Sequence, residues 1–584
     1  MSDKTIQRVD DIPLVVHWLL RMRVHEIIDH ILPYPHSNWQ GLSYGQLALL
    51  FLAYVLHLRT HRLCRVEKWV QQHHQVLEQA TGWTIGLKDA TDDRLGNLLT
   101  VLGEDEERVL AIQQEAGQHL IQAYALPTKV ARFDTTTFSV HHAPPEAETK
   151  GQELLTFGHS KDRRPDLVQF KQSLGTLDPA GVPLLTGTWP GNTADDPLYL
   201  PAWREMAQII GHRHFLFVAD CKAAALTTRA ELDRAGGSYL FPLPMTGTVP
   251  KQLRQWVLEP PVSPTPITLR DDTVPDREPR VIGRGFAVKQ RMTAVLADQQ
   301  TQHTWTEQWL ITCSDVLARQ QQKGLLARLH KAEAELTQLN DRGHENAAEM
   351  QAKAGSIVQR RRVDDFITVQ VEETVTQETH YIGRGRPSPT RPTQVVEVRQ
   401  AHLTFHRNEA TLAEALSLTG WRIHVNNVPT ETMPLDQAIT YYRGEWRVER
   451  GFHRFKGGSL PALPLFVRLP ERIRGLMLLL LIALQALTLL EFVAQRELAE
   501  RKEALAGLVP GNPKMKTTRP SAERLLSQFT DLNLLLEQTE RRITGMLIEK
   551  LTPLQCRILE LLGVPEIVYA LDFSKPTHNY FDST

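Results

Sequence analysis

The spacing of apolar residues divides the chain into regions of different secondary structure. Up to residue 127, apolar residues recur at helical spacing, for instance at Leu49, Ala53 and Leu56, which predicts a helical N-terminal region. Such a region is either a recognition or dimerisation module or a helical scaffold with no partner. From residue 129 the chain becomes β-branched and aromatic, and residues 130–140 predict a strand.

Strand and helix patterns alternate from there to residue 245. Strand patterns at 167–177 and 182–189 are followed by a helix, a strand of the fully buried type at 215–219, a second helix and a strand at 238–243. This order predicts an antiparallel meander followed by crossover units that place the later strands parallel. The predicted fold class is therefore α/β.

The rest of the chain changes character twice more. Short alternating stretches flank one long charged helix between 246 and 434, which indicates an α+β insertion, and helical patterns return at about 435. The predicted regions are a helical N-terminal region at 1–127, the first part of a core at 128–245, the insertion at 246–434, the completion of the core with a glutamate-bearing helix at 435–500, and a helical C-terminal region at 501–584.

The most apolar run, residues 476–490, is interrupted by Gln485 and Thr488. It is shorter than the roughly 20 residues that a membrane span needs, so it predicts a buried core helix and no membrane association. The four cysteines form no CxxC pair. This argues against a disulfide framework or a zinc ribbon and favours a reducing cytoplasm.

Overall charge adds one exclusion. The 584 residues include 66 Lys and Arg and 67 Asp and Glu, for a formal net charge of −1. A protein that coats polyanions with its whole surface is therefore excluded, but a nucleic-acid enzyme with local positive charge is not. Residues 443–474 carry eight Lys or Arg against three Glu, and such a basic stretch suits a phosphodiester backbone.

Two aspartates occupy unusual positions in the predicted strands. Asp134 lies in the middle of a strand, and Asp220 follows the buried strand 215–219. If these strands are neighbours, both carboxylates point into one space, at the strand ends where α/β proteins bind ligands. In the alternative interpretation, Asp134 is held by nearby threonines or by Arg132, and Asp220 caps the following turn.

A third carboxylate comes from the segment 441–456. At 3.6 residues per turn, Tyr442, Glu445, Glu449 and Lys456 share one face of a helix. Two glutamates at this spacing repel each other, so we expect a metal ion or an arginine beside them. Three carboxylates suit Mg²⁺, and two such ions support phosphoryl transfer. The alternative is a solvated helix.

These segments together resemble the DDE transposases of bacterial insertion sequences, in the branch with a β-rich insertion between the second Asp and the Glu. The resemblance rests on Asp134-Thr135-Thr136, on the segments 158–166 and 191–195, on Val218-Ala219-Asp220 and on the helix from Tyr442 to Lys456. It implies a ribonuclease H-like catalytic core interrupted by the α+β insertion. It also implies Mg²⁺-dependent DNA cleavage and strand transfer at terminal inverted repeats.

The resemblance assigns roles residue by residue. Asp134, Asp220 and Glu449 match the metal-binding and catalytic triad, while Tyr442 and Lys456 match residues that contact DNA near the scissile phosphate. Glu445 stands where the family has an arginine, so that Arg443 or Arg447 would have to supply the cation. This departure also leaves Glu445 as the alternative to Glu449 for the third metal ligand. Lys161 and Arg163 either face the same cleft or belong to a solvated loop.

The resemblance also implies cofactor, partners and location. Mg²⁺ is the expected cofactor, with Mn²⁺ as a substitute, and the expected partners are the terminal inverted repeats, target DNA and a second copy of the chain. The expected location is the bacterial cytoplasm, at the nucleoid. Two alternatives are a catalytically inactive, domesticated DNA-binding relative and a metal-dependent nuclease without strand transfer.

One short motif stands apart from the carboxylates. Arg384-Gly385-Arg386-Pro387 matches the core of minor-groove hooks, and arginine is favoured in narrow A·T-rich minor grooves. Arg384 and Arg386 are therefore candidate DNA-binding residues. The alternative is an exposed hairpin turn.

Overall fold

The computed structural model describes residues 3–32, 39–143, 153–269, 278–343, 346–386, 391–539 and 542–570. Pro387, the last residue of the minor-groove motif, lies outside the described residues.

The N-terminal region is helical, as predicted, with one added strand. Its third helix begins with a capping box in which Ser43 and Gln46 each accept a hydrogen bond from the backbone N–H of the other, an arrangement that satisfies free N–H groups at a helix start. The elements are β1 (Asp3–Arg8), α1 (Ile12–Arg21), α2 (Val24–Ile31), α3 (Tyr44–Leu58), α4 (Val66–Gln72), α5 (His74–Thr81), α6 (Asp92–Gly103) and α7 (Glu106–Ala123).

The predicted α/β order is confirmed between residues 128 and 245. β2 pairs antiparallel with β3 and parallel with β6, and β6 pairs parallel with β7. The predicted strand 182–189 is two short strands, both paired with β3. The elements are β2 (Val130–Val140), β3 (Val168–Leu177), β4 (Val182–Leu185), β5 (Thr188–Pro190), α8 (Tyr199–Ile210), β6 (Leu216–Ala219), α9 (Leu226–Arg234) and β7 (Ser238–Pro242).

The predicted insertion mixes strands and helices as expected, and part of it forms a separate body. Helices α11 and α12 and the antiparallel two-stranded ribbon of β11 and β12 enclose a hydrophobic core of their own, which includes Leu329, Leu336, Met350 and Leu403. The elements are α10 (Val249–Leu258), β8 (Thr265–Leu269), β9 (Arg280–Val295), β10 (Gln302–Ser314), α11 (Asp315–Asp341), α12 (Ala347–Arg361), β11 (Ile367–Tyr381), β12 (Thr393–Arg407) and α13 (Glu409–Ser417).

The chain then returns to the central sheet through β13 (Trp421–Asn426), which pairs antiparallel with both β7 and β10. The strand order becomes β4-β3-β2-β6-β7-β13-β10-β9-β8. The central sheet therefore continues without a gap from the α/β core into strands contributed by residues 246–434.

The glutamate-bearing helix is divided, contrary to the continuous helix predicted for 441–455. α14 (Leu435–Tyr442) and α15 (Trp446–Gly457) are separated by a single 3₁₀ turn at Arg443–Glu445. The glycine at position 444 lets this turn pack closely. A Cβ at this buried position would collide with the guanidinium groups of Arg132 and Arg447.

The apolar run 476–490 lies in the buried helix α16 (Pro470–Glu500), as predicted. By length and composition α16 passes as a membrane span, as does the bent pair Tyr44–Leu58 with Leu63–Gln72 among the described residues. However, 94% of the most apolar window of α16 is buried inside the protein, which is typical of a core helix.

The C-terminal region, predicted to be helical, contains strands as well as helices. β16 pairs antiparallel with both β1 and β17, so this sheet joins the two ends of the chain. Its period-2 burial, with Leu534 and Leu536 inside, is hidden in sequence by the adjacent Leu535. The elements are β14 (Leu505–Ala506), β15 (Lys516–Thr517), α17 (Ala522–Leu526), β16 (Asn533–Thr539), β17 (Arg542–Leu547) and α18 (Pro553–Leu562).

Candidate active site

The central sheet brings Asp134 and Asp220 together, as the sequence predicts. The parallel register of β2 and β6 pairs Phe133 with Ala219, so each aspartate occupies the next position along its strand. Both line one small cavity with Tyr442 and Glu445. The cavity therefore joins the carboxyl end of β6 to the start of the glutamate-bearing helix.

Asp134 is a carboxylate without enough compensating charge. Burial raises the pKa of Asp134 to about 7, and the negative charges of Asp220 and Glu445 add to this effect. The Lys161 ammonium and the Thr135 N–H, which donates to Asp134 Oδ1 at 2.7 Å, oppose it. A divalent cation would supply the missing positive charge.

Asp220 is held by two donors. The hydroxyl of the fully buried Tyr199 donates to Asp220 Oδ1, and the Lys222 N–H donates to the same oxygen at 3.0 Å. Asp220 thereby caps the 3₁₀ turn Cys221–Ala224, which confirms the capping interpretation and leaves Oδ2 available for a further ligand.

We expect Tyr199→Phe to weaken divalent-ion binding by about 10- to 100-fold, the usual cost of removing a hydrogen bond that orients a metal ligand. The measurement is calorimetric titration with Mn²⁺ of the full chain. Tyr124→Phe is the control, since its buried hydroxyl has no hydrogen-bond partner. Equal Mn²⁺ affinity of Tyr199→Phe and the unmodified protein would refute a role in orienting Asp220.

The two candidate glutamates occupy different environments. Glu445 is half-buried and lines the cavity, whereas Glu449 is exposed one turn further along α15. Burial raises the pKa of Glu445, and the nearby charge of Glu449 raises it further. Among the described residues, no three Asp, Glu, His or Cys side chains converge closely enough to form a ready metal centre.

Arg132 lies on the same face of β2 as Asp134, but it pairs with a different aspartate. Its Nε and Nη2 donate to the Asp178 carboxylate at distances of 2.6 to 3.0 Å, and Nη2 also donates to the Tyr441 carbonyl. Its Nη1 is buried without a hydrogen-bond partner, and the residue lines the cavity. The structure therefore differs from the alternative interpretation, in which Arg132 pairs with Asp134.

A second network supports the strand that carries Asp134. Lys161 Nζ donates to the Thr135 carbonyl at 2.6 Å and to its hydroxyl at 3.0 Å. The Thr135 hydroxyl donates to Asp195 at 2.9 Å, and Asp195 pairs with Lys171 at 2.5 Å. Lys161 thus lies beside the cavity, whereas Lys171 and Asp195 anchor the segment 191–195 to the sheet.

The other candidate DNA-binding residues divide into two groups. Tyr442 lines the cavity and packs its ring 4.3 Å from His424, and Lys456 forms an ion pair with Asp162 at 2.6 Å. Arg447 donates to the Pro179 carbonyl at 3.1 Å and therefore helps to hold the β3–β4 turn.

Like Lys161, Arg447 and Lys456, the four remaining candidates lie outside the lining of the cavity. Arg443 and Arg163 are exposed, and Arg163 adopts a left-handed backbone with φ of 59°. Arg384 and Arg386 are exposed at the end of the β11–β12 ribbon. Within the part of the chain that the structure describes, no hydrogen bond or ion pair joins these four side chains to the carboxylates.

Sequence reasoning missed two supporting residues and one buried ion pair. Tyr199, Lys171 and the buried pairing of Arg132 with Asp178 all depend on contacts between distant segments. A basic residue in the strand 168–177, where every position is buried, is a usable signal, since a buried lysine requires a partner.

Comparison with known protein families agrees with this arrangement. The family described as the transposase DDE domain matches residues 127–485, which is more than half of the chain and includes both aspartates and both glutamates. A search of curated proteins found no match. The chain therefore belongs to the DDE transposase family.

Proposed function

We propose that the protein is the transposase of a bacterial insertion sequence, acting in the cytoplasm at the nucleoid. It binds the terminal inverted repeats, cleaves the DNA at the element boundaries and joins the freed 3′-hydroxyl to target DNA. The observation that carries the proposal is the meeting of Asp134 and Asp220 in one cavity, beside a basic glutamate-bearing helix.

The order β4-β3-β2-β6-β7 supports assignment of this half of the sheet to a ribonuclease H-like core. Three strands form an antiparallel meander, and two further strands run parallel to the first. In this assignment, the residues between β7 and α14 are the insertion that separates the second aspartate from the glutamates.

The donor chemistry of the cavity fits Mg²⁺, with Mn²⁺ as a substitute, because carboxylate oxygens are its preferred protein ligands. Asp134 and Asp220 would hold the metal with Glu449, whose position matches the family motif. Bound there, divalent ions would polarise the phosphate and lower the pKa of the attacking hydroxyl group. Glu449 would have to approach the two aspartates, since it is exposed in this structure.

The protein's own residues bind and orient the DNA in this proposal. Tyr442 and Lys456 would contact the strand at the scissile phosphate, with Lys161 beside Asp134 and with Arg443, Arg447 and Arg163 along the approach. Water is the nucleophile for cleavage and the freed 3′-hydroxyl is the nucleophile for joining. A homodimer would hold the two element ends together.

The proposal is tested with the full chain, a plasmid that carries the element with its flanking DNA, and a target plasmid. We expect cleavage at the element boundaries and joined products in Mg²⁺ or Mn²⁺, and none in EDTA. Cleavage without joined products would identify a nuclease instead. Specific end binding without cleavage in either ion would identify an inactive DNA-binding relative.

A further inference from the structure

The β11–β12 ribbon projects beyond the body that supports its base. Fifteen residue pairs join the two strands, from Ile367 with Arg407 to Tyr381 with Thr393. Near the base, Ile367 is 4% exposed and packs on the helices. Further along the same face, Val375 is 51% and Val395 is 58% exposed. The outer half of the ribbon therefore extends beyond the helix pair α11–α12.

Charge divides the ribbon into a stem and a tip. The described residues of the tip, 379–386 and 391–396, contain three arginines and no Asp or Glu, whereas the stem carries more acidic than basic residues. The stem charges are Glu372, Glu373, Glu378 and Glu397 against Arg399 and Arg407. An anionic partner such as DNA is repelled by the stem and attracted by the tip, so contact would be confined to the tip.

One of the three arginines shapes the tip. Arg391 Nη1 donates to the Gly385 carbonyl at 2.6 Å, which draws the two sides of the tip together. Gly383 and Gly385 have φ of 91° and 139°, conformations that only glycine adopts without strain. Arg384 and Arg386 are thereby exposed at the far end of the ribbon.

We propose that this tip is a second DNA contact, remote in sequence from the carboxylates, which inserts Arg384 and Arg386 into an A·T-rich minor groove. Glycine on both sides of Arg384 gives a narrow backbone that can enter a groove about 6 Å wide. The narrow A·T groove concentrates negative potential and favours arginine. The inference rests on DNA being the partner in the proposed function.

The experiment compares binding of three duplexes of equal length to the full chain: A·T-rich, G·C-rich, and inosine·cytosine. Inosine lacks the guanine 2-amino group, so its duplex offers an A·T-like minor groove with a G·C-like major groove. We expect the A·T-rich and inosine duplexes to bind more tightly than the G·C-rich duplex. Arg384→Gln/Arg386→Gln should remove this preference and weaken binding of the two favoured duplexes by about 10- to 100-fold.

The matched control is Arg328→Gln/Lys331→Gln, which removes two exposed positive charges from helix α11 of the same body. This control should keep the preference. Equal weakening on all three duplexes in the tip variant would reduce the tip to a phosphate contact and overturn groove insertion. Unchanged binding would overturn the proposal altogether.

Failure of this inference is distinguishable from failure of the proposed function. If the tip variant still prefers the A·T-rich and inosine duplexes while the protein cleaves and joins its element, only the groove contact is wrong. If the preference depends on the tip but no cleavage occurs in Mg²⁺ or Mn²⁺, the groove contact is retained and the transposase proposal fails.

Discussion

Asp134→Asn and Asp220→Asn should each abolish DNA cleavage while leaving binding of the element ends intact. Each change keeps the size of the side chain but removes a negative charge from the cavity that both residues line. Loss of a direct metal ligand should cost more than the 10- to 100-fold typical of a supporting residue, so we expect cleavage to fall by well over about 100-fold. The measurements are plasmid cleavage in Mg²⁺ and gel-shift binding in EDTA.

The same assay separates the two glutamates. We expect Glu449→Gln to match the aspartate variants, because its position fits the family motif. Glu445→Gln should retain part of the activity, since removing one negative charge relieves the repulsion that raises the pKa of Asp134. If Glu445→Gln is inactive and Glu449→Gln is active, the third ligand is the glutamate that already lines the cavity.

Asp166→Asn is the control for these variants. Asp166 is an exposed aspartate in the loop before β3, paired with Arg164 at 2.7 Å, and it is not among the residues lining the cavity. It should cleave at the unmodified rate. Normal cleavage by Asp134→Asn or Asp220→Asn would exclude the replaced aspartate as a metal ligand and refute the proposed mechanism.

Elements whose partners lie nearby in sequence could be predicted, and elements whose partners are distant in sequence could not. Strand β2 and the crossover units from 196 to 242 carry local patterns strong enough to give the sheet order. The strands β1 and β16 do not, because their pairing of Thr5 with Leu536 spans almost the whole chain. Local periodicity carries no information about a partner so distant in sequence. The apolar run Leu534 to Leu536 therefore favoured a helix, where the structure has a strand.

The candidate site was predictable in its aspartates and less so in its glutamates. Asp134 and Asp220 stood out by strand position, but their meeting depended on β2 and β6 being neighbours, which the register shows. The relation of Glu445 to Glu449 depends on the 3₁₀ turn at Arg443–Glu445, which a continuous helical repeat cannot anticipate. Arg132, a residue of strand β2, donates to the Tyr441 carbonyl just before that turn and packs against Gly444 within it.

The second large expected effect is the loss of stability when Arg132 is replaced. Its side chain is 2% exposed, and it pairs with Asp178, which is itself buried. We expect Arg132→Met to lower the free energy of unfolding by about 3–5 kcal/mol, because it leaves the buried Asp178 with only the longer ion pair to Arg447, at 3.7 Å. Urea unfolding followed by fluorescence is the measurement. Arg164→Met, which breaks an exposed pair with Asp166, is the control and should leave the midpoint unchanged.

The double variant Arg132→Met/Asp178→Leu identifies the cause. It removes both charges and should recover much of the lost stability, as replacement of a buried ion pair by apolar residues often does. Recovery of stability without recovery of cleavage is the expected outcome, because Arg132 also donates to the Tyr441 carbonyl and so ties strand β2 to the end of α14. A double variant as unstable as Arg132→Met would show that the arginine stabilises the core through packing and its bond to Tyr441 rather than through its charge. Full cleavage by the double variant would show that the carboxylates keep their places without this link between β2 and the glutamate-bearing helix.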